Sequence, residues 1–374
     1  MRNFLNLKFF LILMLFLFSI ELILQLTYKI LNKNYLINRV NLPIFLNNEV
    51  ACWKLKPLLN YTHSTNEFSY KIYTDKNSFR CLESLKKKKD ENFDIKQKTI
   101  LFLGSTSAFG WGVEYDKSYS YLIAEHLKSK KIINNSINAS IPGQLPSLQL
   151  CWFINEGYKY KPDIIVQSVP GSLNLRIPRG EYKYKDFCKK ICEKTGYYAS
   201  SKGHLLSNEL LRNPKFYLKN SAIVFYSWYL YVLHNSKKNT NEGKQLKKIE
   251  KYDDEKVYES FDYQYEKYVN LVQRFSNGTK VIFINIPKSY SIHLEDRKRW
   301  SHQSRNFSKE DIDYIYNIKN LKKKYNIIET KKYLIDNKKN KRIFHLIDAS
   351  LNKNGNFHIF NAFKNYCIKN ECFN

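Results

Sequence analysis

Three hydroxyl side chains stand in a row at Ser105, Thr106 and Ser107, directly behind an apolar run, Ile100 to Leu103, and a glycine, Gly104. A short apolar run of this kind reads as a buried parallel strand, and a glycine able to take positive φ ends it. Apolar positions at Tyr119, Leu122, Ile123 and Leu127 then recur at helical spacing. Thr99 to Leu127 is therefore strand, turn and helix, with its loop where ligands of open α/β sheets sit, outside the carboxyl ends of the strands. A hydroxyl there becomes a nucleophile only when a neighbouring base takes its proton, so function turns on what the rest of the chain brings to this loop.

The frame LFLGSTSAFGWGV resembles the first block of the SGNH/GDSL hydrolase superfamily, Gly-Asp-Ser followed by Gly-x-Gly, in which the serine is the nucleophile. Here Ser105 holds the Asp position and Thr106 the nucleophile position. Lys56-Pro57 and Asp75-Lys76-Asn77-Ser78-Phe79-Arg80 are similar to phrases that precede the catalytic domain in membrane-anchored members. Gly143, within Asn138 to Gln144, takes the place of the second-block glycine. The resemblance implies that its amide donates to an oxyanion; a glycine needed only for the turn is the plainer alternative. The third block, Gly-x-Asn-Asp, is represented by Pro170-Gly171-Ser172-Leu173-Asn174, with Asn174 one residue late, so only a shifted loop presents it. KVIFINIP, Lys280 to Pro287, matches a further family strand.

The C-terminal block decides the chemistry. Aligned on Leu351-Asn352 and Gly355, the general base of the family falls on Ser350, and Asp348 lies two residues before it instead of three. Serine cannot accept a proton at neutral pH as imidazole does. His345, on the segment entering the block, and His358, in the final helix, are the substitute bases nearest in sequence, and Ser105 or Ser107 would attack if the loop were displaced by one residue. The loop Ile292 to Gln303 carries His293, Glu295, Asp296 and His302, which read as an exposed polar loop in preference to a cleft wall.

These readings predict a flavodoxin-like, three-layer α/β/α domain with a mainly parallel sheet. The expected organisation is a signal anchor over residues 1–29, a connector and extended arm over 30–98, and the SGNH-like domain over 99–374, with an insertion at about 176–275. Strands are expected at Ile132 to Ile141, at Ile164 to Val169, at Lys280 to Ile286 and, last, at Ile343 to Ile347. Two functions stay open: a degenerate domain that binds a cell-envelope glycan or acylated partner, and an active carbohydrate esterase or O-acyltransferase that uses displaced Ser, Thr and His residues. No cofactor and no metal is implied.

The formal charge of +28 on 374 residues would suit a polyanion. Lysine far outnumbers arginine, however, and bidentate phosphate recognition favours arginine; with no nucleic-acid motif present, nucleic acid is not an expected partner. A solvated lysine surface near anionic lipid heads fits better, and an acidic glycan is a third candidate ligand. Phe9 to Leu26 is apolar but for Ser19, Glu21 and Gln25, long enough to cross a bilayer, and followed by no small-residue cleavage site. An uncleaved anchor in the cytoplasmic membrane is expected, with the main domain outside the cytoplasm. The apolar run Ala222 to Leu233 is too short to span, and is expected to pack on the sheet or else lie on the membrane surface. Among seven cysteines, Cys188 with Cys192, Cys367 with Cys372, or Cys52 with Cys81 are the candidate disulfides, and Cys151 reads as a buried small hydrophobe.

Overall fold

A computed structural model describes residues 2–31, 42–86, 97–177, 184–207, 221–238, 255–296, 317–339, 341–346 and 348–373. The N-terminal helix, Arg2–Ile30, is long and apolar enough from Lys8 onward to cross a membrane, and its apolar side chains from Phe9 to Phe18 are exposed. The chain then builds a hairpin from β1 (Phe45–Asn48) and β2 (Cys52–Leu55), and a three-stranded antiparallel sheet from β3 (Asn60–Ser64), β4 (Ser69–Thr74) and β5 (Arg80–Cys81). In β4 the pleat turns Tyr70 and Ile72 inward and Ser69 and Lys71 outward, as period-2 alternation requires. Trp53, Tyr70 and Ile72 join the main core, so the arm is an integral wall of the fold.

The central sheet has five strands, all parallel: β6 (Thr99–Leu103), β7 (Asn135–Asn138), β8 (Ile164–Pro170), and, after a short antiparallel pair β9 (Tyr197–Ala199) and β10 (Leu205–Ser207), β11 (Lys280–Ile286) and β12 (Ile327–Glu329). Their spatial order is β12-β11-β8-β6-β7. Counted along the chain this is 2-1-3-4-5, the flavodoxin-like order, with its switch point between β6 and β8. Registers such as Ile100 against Ile164 and Ile164 against Lys280 bring the carboxyl ends of β6, β8 and β11 level.

Alternation along these strands supplies both faces. Ile100, Phe102, Ile164, Val166 and Ile282 pack with the helices Tyr119–Ser129 and Lys353–Lys369, while Leu101, Leu103, Ile165 and Phe283 pack with Pro146–Asn155 and Glu255–Phe275. Three layers result, as expected from the sequence.

Several expectations are corrected. The second strand is only Asn135–Asn138, with Ala139 N still bonded to Phe102 O. The fifth strand is β12, not the expected Ile343 to Ile347, of which Ile347 lies outside the described residues: His345 N donates to Ser350 O and Phe344 bridges Leu351, so residues 343–346 fold back on the following loop instead of joining the sheet. The cysteines pair as Cys52 with Cys192 and Cys151 with Cys188, joining the arm and the Pro146–Asn155 helix to the helix Tyr184–Thr195; Cys81, Cys367 and Cys372 lie outside these bonds. The run beginning at Ala222 forms a helix to Lys238 that packs on the N-terminal helix, not on the sheet.

Candidate functional site

Gly104 ends β6 where no side chain fits: a Cβ there would lie 2.4 Å from Ala108 Cβ and 2.9 Å from Ser168 Cβ. The chain then makes a single helical turn, Thr106–Phe109, stopped by Gly110 in the left-handed region at φ 79°. This turn presents Ser105, Thr106 and Ser107 to a cleft of about 420 Å³ at the carboxyl ends of β6, β8 and β11. Gly143, Ser168, Gly171, Lys288, Ser289, Tyr290, Asp348 and Ser350 complete its walls.

Each wall is held from behind. The Arg80 guanidinium, buried, donates to the carbonyls of Phe109, Gly110 (2.6 Å) and Val113 (2.8 Å), and stacks 4.4 Å from the Phe109 ring. Asn138 Nδ2 donates to Ala108 O and Ser120 Oγ, both at 3.0 Å. The Gly143 turn is pinned by the arm: Gln144 Nε2 donates to Ala51 O (2.9 Å) and Trp53 O (2.6 Å). In the C-terminal block, Asn352 caps the final helix by accepting from Gly355 N at 3.0 Å. Gly355 is where that helix meets the preceding loop, since a Cβ there would lie 2.1 Å from Ile343 O. The Leu-Asn and Gly positions of the block thus have an architectural role of their own.

Inside the cleft, Ser105 Oγ lies 3.3 Å from Thr106 Oγ1 and accepts from Gly143 N at 3.1 Å. The amide that the resemblance assigns to an oxyanion is therefore engaged by the hydroxyl at the family's Asp position. Asp348 is 5% exposed; its Oδ1 accepts from Ser350 N at 3.2 Å, and its own N donates to Glu67 Oε2 at 2.8 Å. The hydroxyls of Ser289 and Ser350 are buried with no hydrogen-bond partner among the described residues.

No histidine is among the described residues that line the cleft. His345 is half-buried behind the loop, 4.8 Å from the Phe68 ring and against Gly112, and desolvation pushes its pKa down. His358 lies on the final helix 6.5 Å from the Tyr333 ring, its pKa also lowered by burial. His293 accepts from Ile343 N through Nε2 (3.3 Å) and sets Nδ1 3.5 Å from Glu295; the ring is buried, unlike the exposed loop expected for it. Asp296, also buried, pairs with Arg342 at 2.8 Å. His302 lies outside the described residues. Asn174 does not reach the cleft: its Oδ1 accepts from Arg176 N at 2.7 Å.

The nucleophile-position loop, the second-block glycine and the C-terminal block, separated by some 240 positions of sequence, thus meet at one end of a sheet of flavodoxin-like order. The chain resembles the SGNH/GDSL hydrolases. No family model and no curated protein matches the sequence. Similar solved structures include TesA (10% identity, 72% of this chain and 98% of that one, TM-score 0.37). The acetyl xylan esterase AlAXEase is another (13%, 71% and 98%, 0.36), as is a putative GDSL-like lipase from Parabacteroides merdae (10%, 72% and 94%, 0.38).

Sequence reasoning did not find Ser168, Lys288, Ser289, Tyr290 or Glu67 as site neighbours. Ser168 had a signal, as a polar residue next to Gln167 within the apolar run of β8, and Lys288 to Tyr290 directly follow the proline that ends the β11 segment. Glu67 had none, because only the tertiary fold brings it to Asp348.

Proposed function

We propose that this is a membrane-anchored, SGNH-like protein of the cell envelope whose cleft binds a glycan or an acylated partner without hydrolysing it. The observation that carries this reading is the cleft's inventory: many hydroxyls and one carboxylate, but no imidazole among the described lining residues. A carboxylate is a poorer acceptor for an alcohol proton than imidazole, and among the described residues the hydroxyl of Thr106 meets that of Ser105. Hydroxyls both donate and accept, and those of Ser105, Thr106 and Ser107 line the cleft, which suits a polyhydroxylated ligand.

Disulfides persist in oxidising compartments, so the Cys52–Cys192 and Cys151–Cys188 bonds favour a domain exported across the cytoplasmic membrane with the N-terminus inside. The anchor is also tied to the cleft wall. Tyr28 OH accepts from Asn66 Nδ2 at 2.8 Å, and the adjacent Glu67 holds the backbone of Asp348.

The test is binding and turnover by the full-length protein in nanodiscs against O-acetylated and unmodified envelope oligosaccharides. Saturable binding that falls at least tenfold in Ser107→Trp, with no acetate release, is expected. Acetate release that disappears in Thr106→Ala or Ser105→Ala would instead establish an esterase or acyltransferase.

A further inference from the structure

Glu21 interrupts the apolar N-terminal helix, and an ionisable side chain at bilayer depth is tolerated when it is partnered. Its partner is the start of the Ala222–Lys238 helix. Oε1 accepts from Ala222 N at 2.7 Å, and Oε2 accepts from Ile223 N at 3.0 Å and from Ser221 Oγ at 2.8 Å. A carboxylate there satisfies amides that the helix itself cannot, and complements its dipole. One turn on, Phe225 packs edge-on against Tyr28 with ring centroids 6.0 Å apart. The two helices are thus joined at two levels.

Only a narrow stripe of the second helix is used in this contact. Ala222 and Phe225 are buried, while Val224, Tyr226, Leu230 and Tyr231 are 40%, 42%, 48% and 64% exposed. At about 100° per residue these four fall on both flanks of the buried stripe, so the first three turns are apolar nearly all round. Such a helix belongs in a protein core or in lipid. The apolar part, Ala222 to Leu233, is about 18 Å long, short of the roughly 30 Å needed to span. Its depth is bracketed by its two contacts: Ala222 is level with Glu21, inside the span, and Phe225 with Tyr28, two residues before the span ends at Ile30, so the helix rises from the hydrocarbon toward the domain-side boundary.

We propose that Ala222–Lys238 is a second membrane element, seated in the boundary layer of the bilayer that the N-terminal helix crosses. This rests on reading that helix as a span. The full chain in nanodiscs tests it through Trp228, half-buried on this helix. The N-terminal helix has no tryptophan, and Trp53, Trp111 and Trp152 are buried in the domain. In a Trp300→Phe background, lipids brominated near the headgroup end of the chain should quench fluorescence, and Trp228→Phe should cut that quenching at least twofold. Bromination near the chain terminus should quench less. Quenching unchanged by Trp228→Phe, in a protein that resists alkaline carbonate extraction, overturns this inference alone. Release by carbonate overturns the span and this inference together.

Discussion

Replacing Arg80 by methionine keeps most of the stem's volume and removes the charge that holds the hydroxyl loop. Three carbonyls, of Phe109, Gly110 and Val113, lose their donor inside a region where Arg80 itself is 2% exposed. Each orphaned buried acceptor costs about 1–3 kcal/mol, so three would cost roughly 3–9 kcal/mol. Against this, the variant no longer buries a guanidinium, whose desolvation opposes folding, so a net loss in the lower half of that range, about 3–5 kcal/mol, is expected. Urea unfolding of the full chain in detergent, followed by tryptophan fluorescence, reads the difference. With a slope near the upper end of the usual range, about 3 kcal/mol/M, the midpoint should fall by roughly 1–1.7 M. Arg80→Lys, with one compact donor group, should recover only part of the loss. A midpoint for Arg80→Met within about 0.15 M of the parent, inside the range expected for surface changes at that slope, would refute the claim that this side chain holds the loop.

Glu295 is held down to about 2, first by its contact with His293 and further by Arg342. A carboxyl depressed in the folded state adds stability above its unfolded pKa and loses it as pH falls through the folded one. Stability should therefore decline between about pH 4.5 and pH 2, and Glu295→Gln should flatten that part of a pH series of urea midpoints. Non-reducing peptide mapping should recover Cys52 joined to Cys192 and Cys151 joined to Cys188, and no peptide joining Cys188 to Cys192. Loss of the first bond, which closes a loop of 140 residues, should cost about 5 kcal/mol in the chain-entropy picture, read as a lowered urea midpoint in Cys52→Ala/Cys192→Ala.

The sequence showed the sheet where strands are buried on both faces. β6, β8 and β11 are near-continuous apolar runs, and the loops after them carry the residues that line the cleft. It hid β12, because three residues behind a lysine-rich helix leave no period to read, and Ile343 with Phe344, equally apolar, are buried without joining the sheet. Disulfide partners were misjudged because nearby spacing was the only guide, whereas the real partners are set by the insertion folding back onto the arm. Had the loop at 104–112 and the segment at 348–356 fallen on opposite ends of the sheet, the resemblance would have failed; Thr106 and Asp348 instead line one cleft. The role of Arg80 was not legible, since a conserved-looking phrase says nothing of which carbonyls its last residue will reach.

The central claim is that the hydroxyls of this cleft are not activated. Treatment of the full-length protein in nanodiscs with a fluorophosphonate, which adds covalently to activated serine or threonine, tests it most directly, with intact mass and peptide mapping as the readout. The account predicts no adduct on the peptide spanning Thr99 to Leu127. A stoichiometric adduct on Ser105, Thr106 or Ser107 would contradict it.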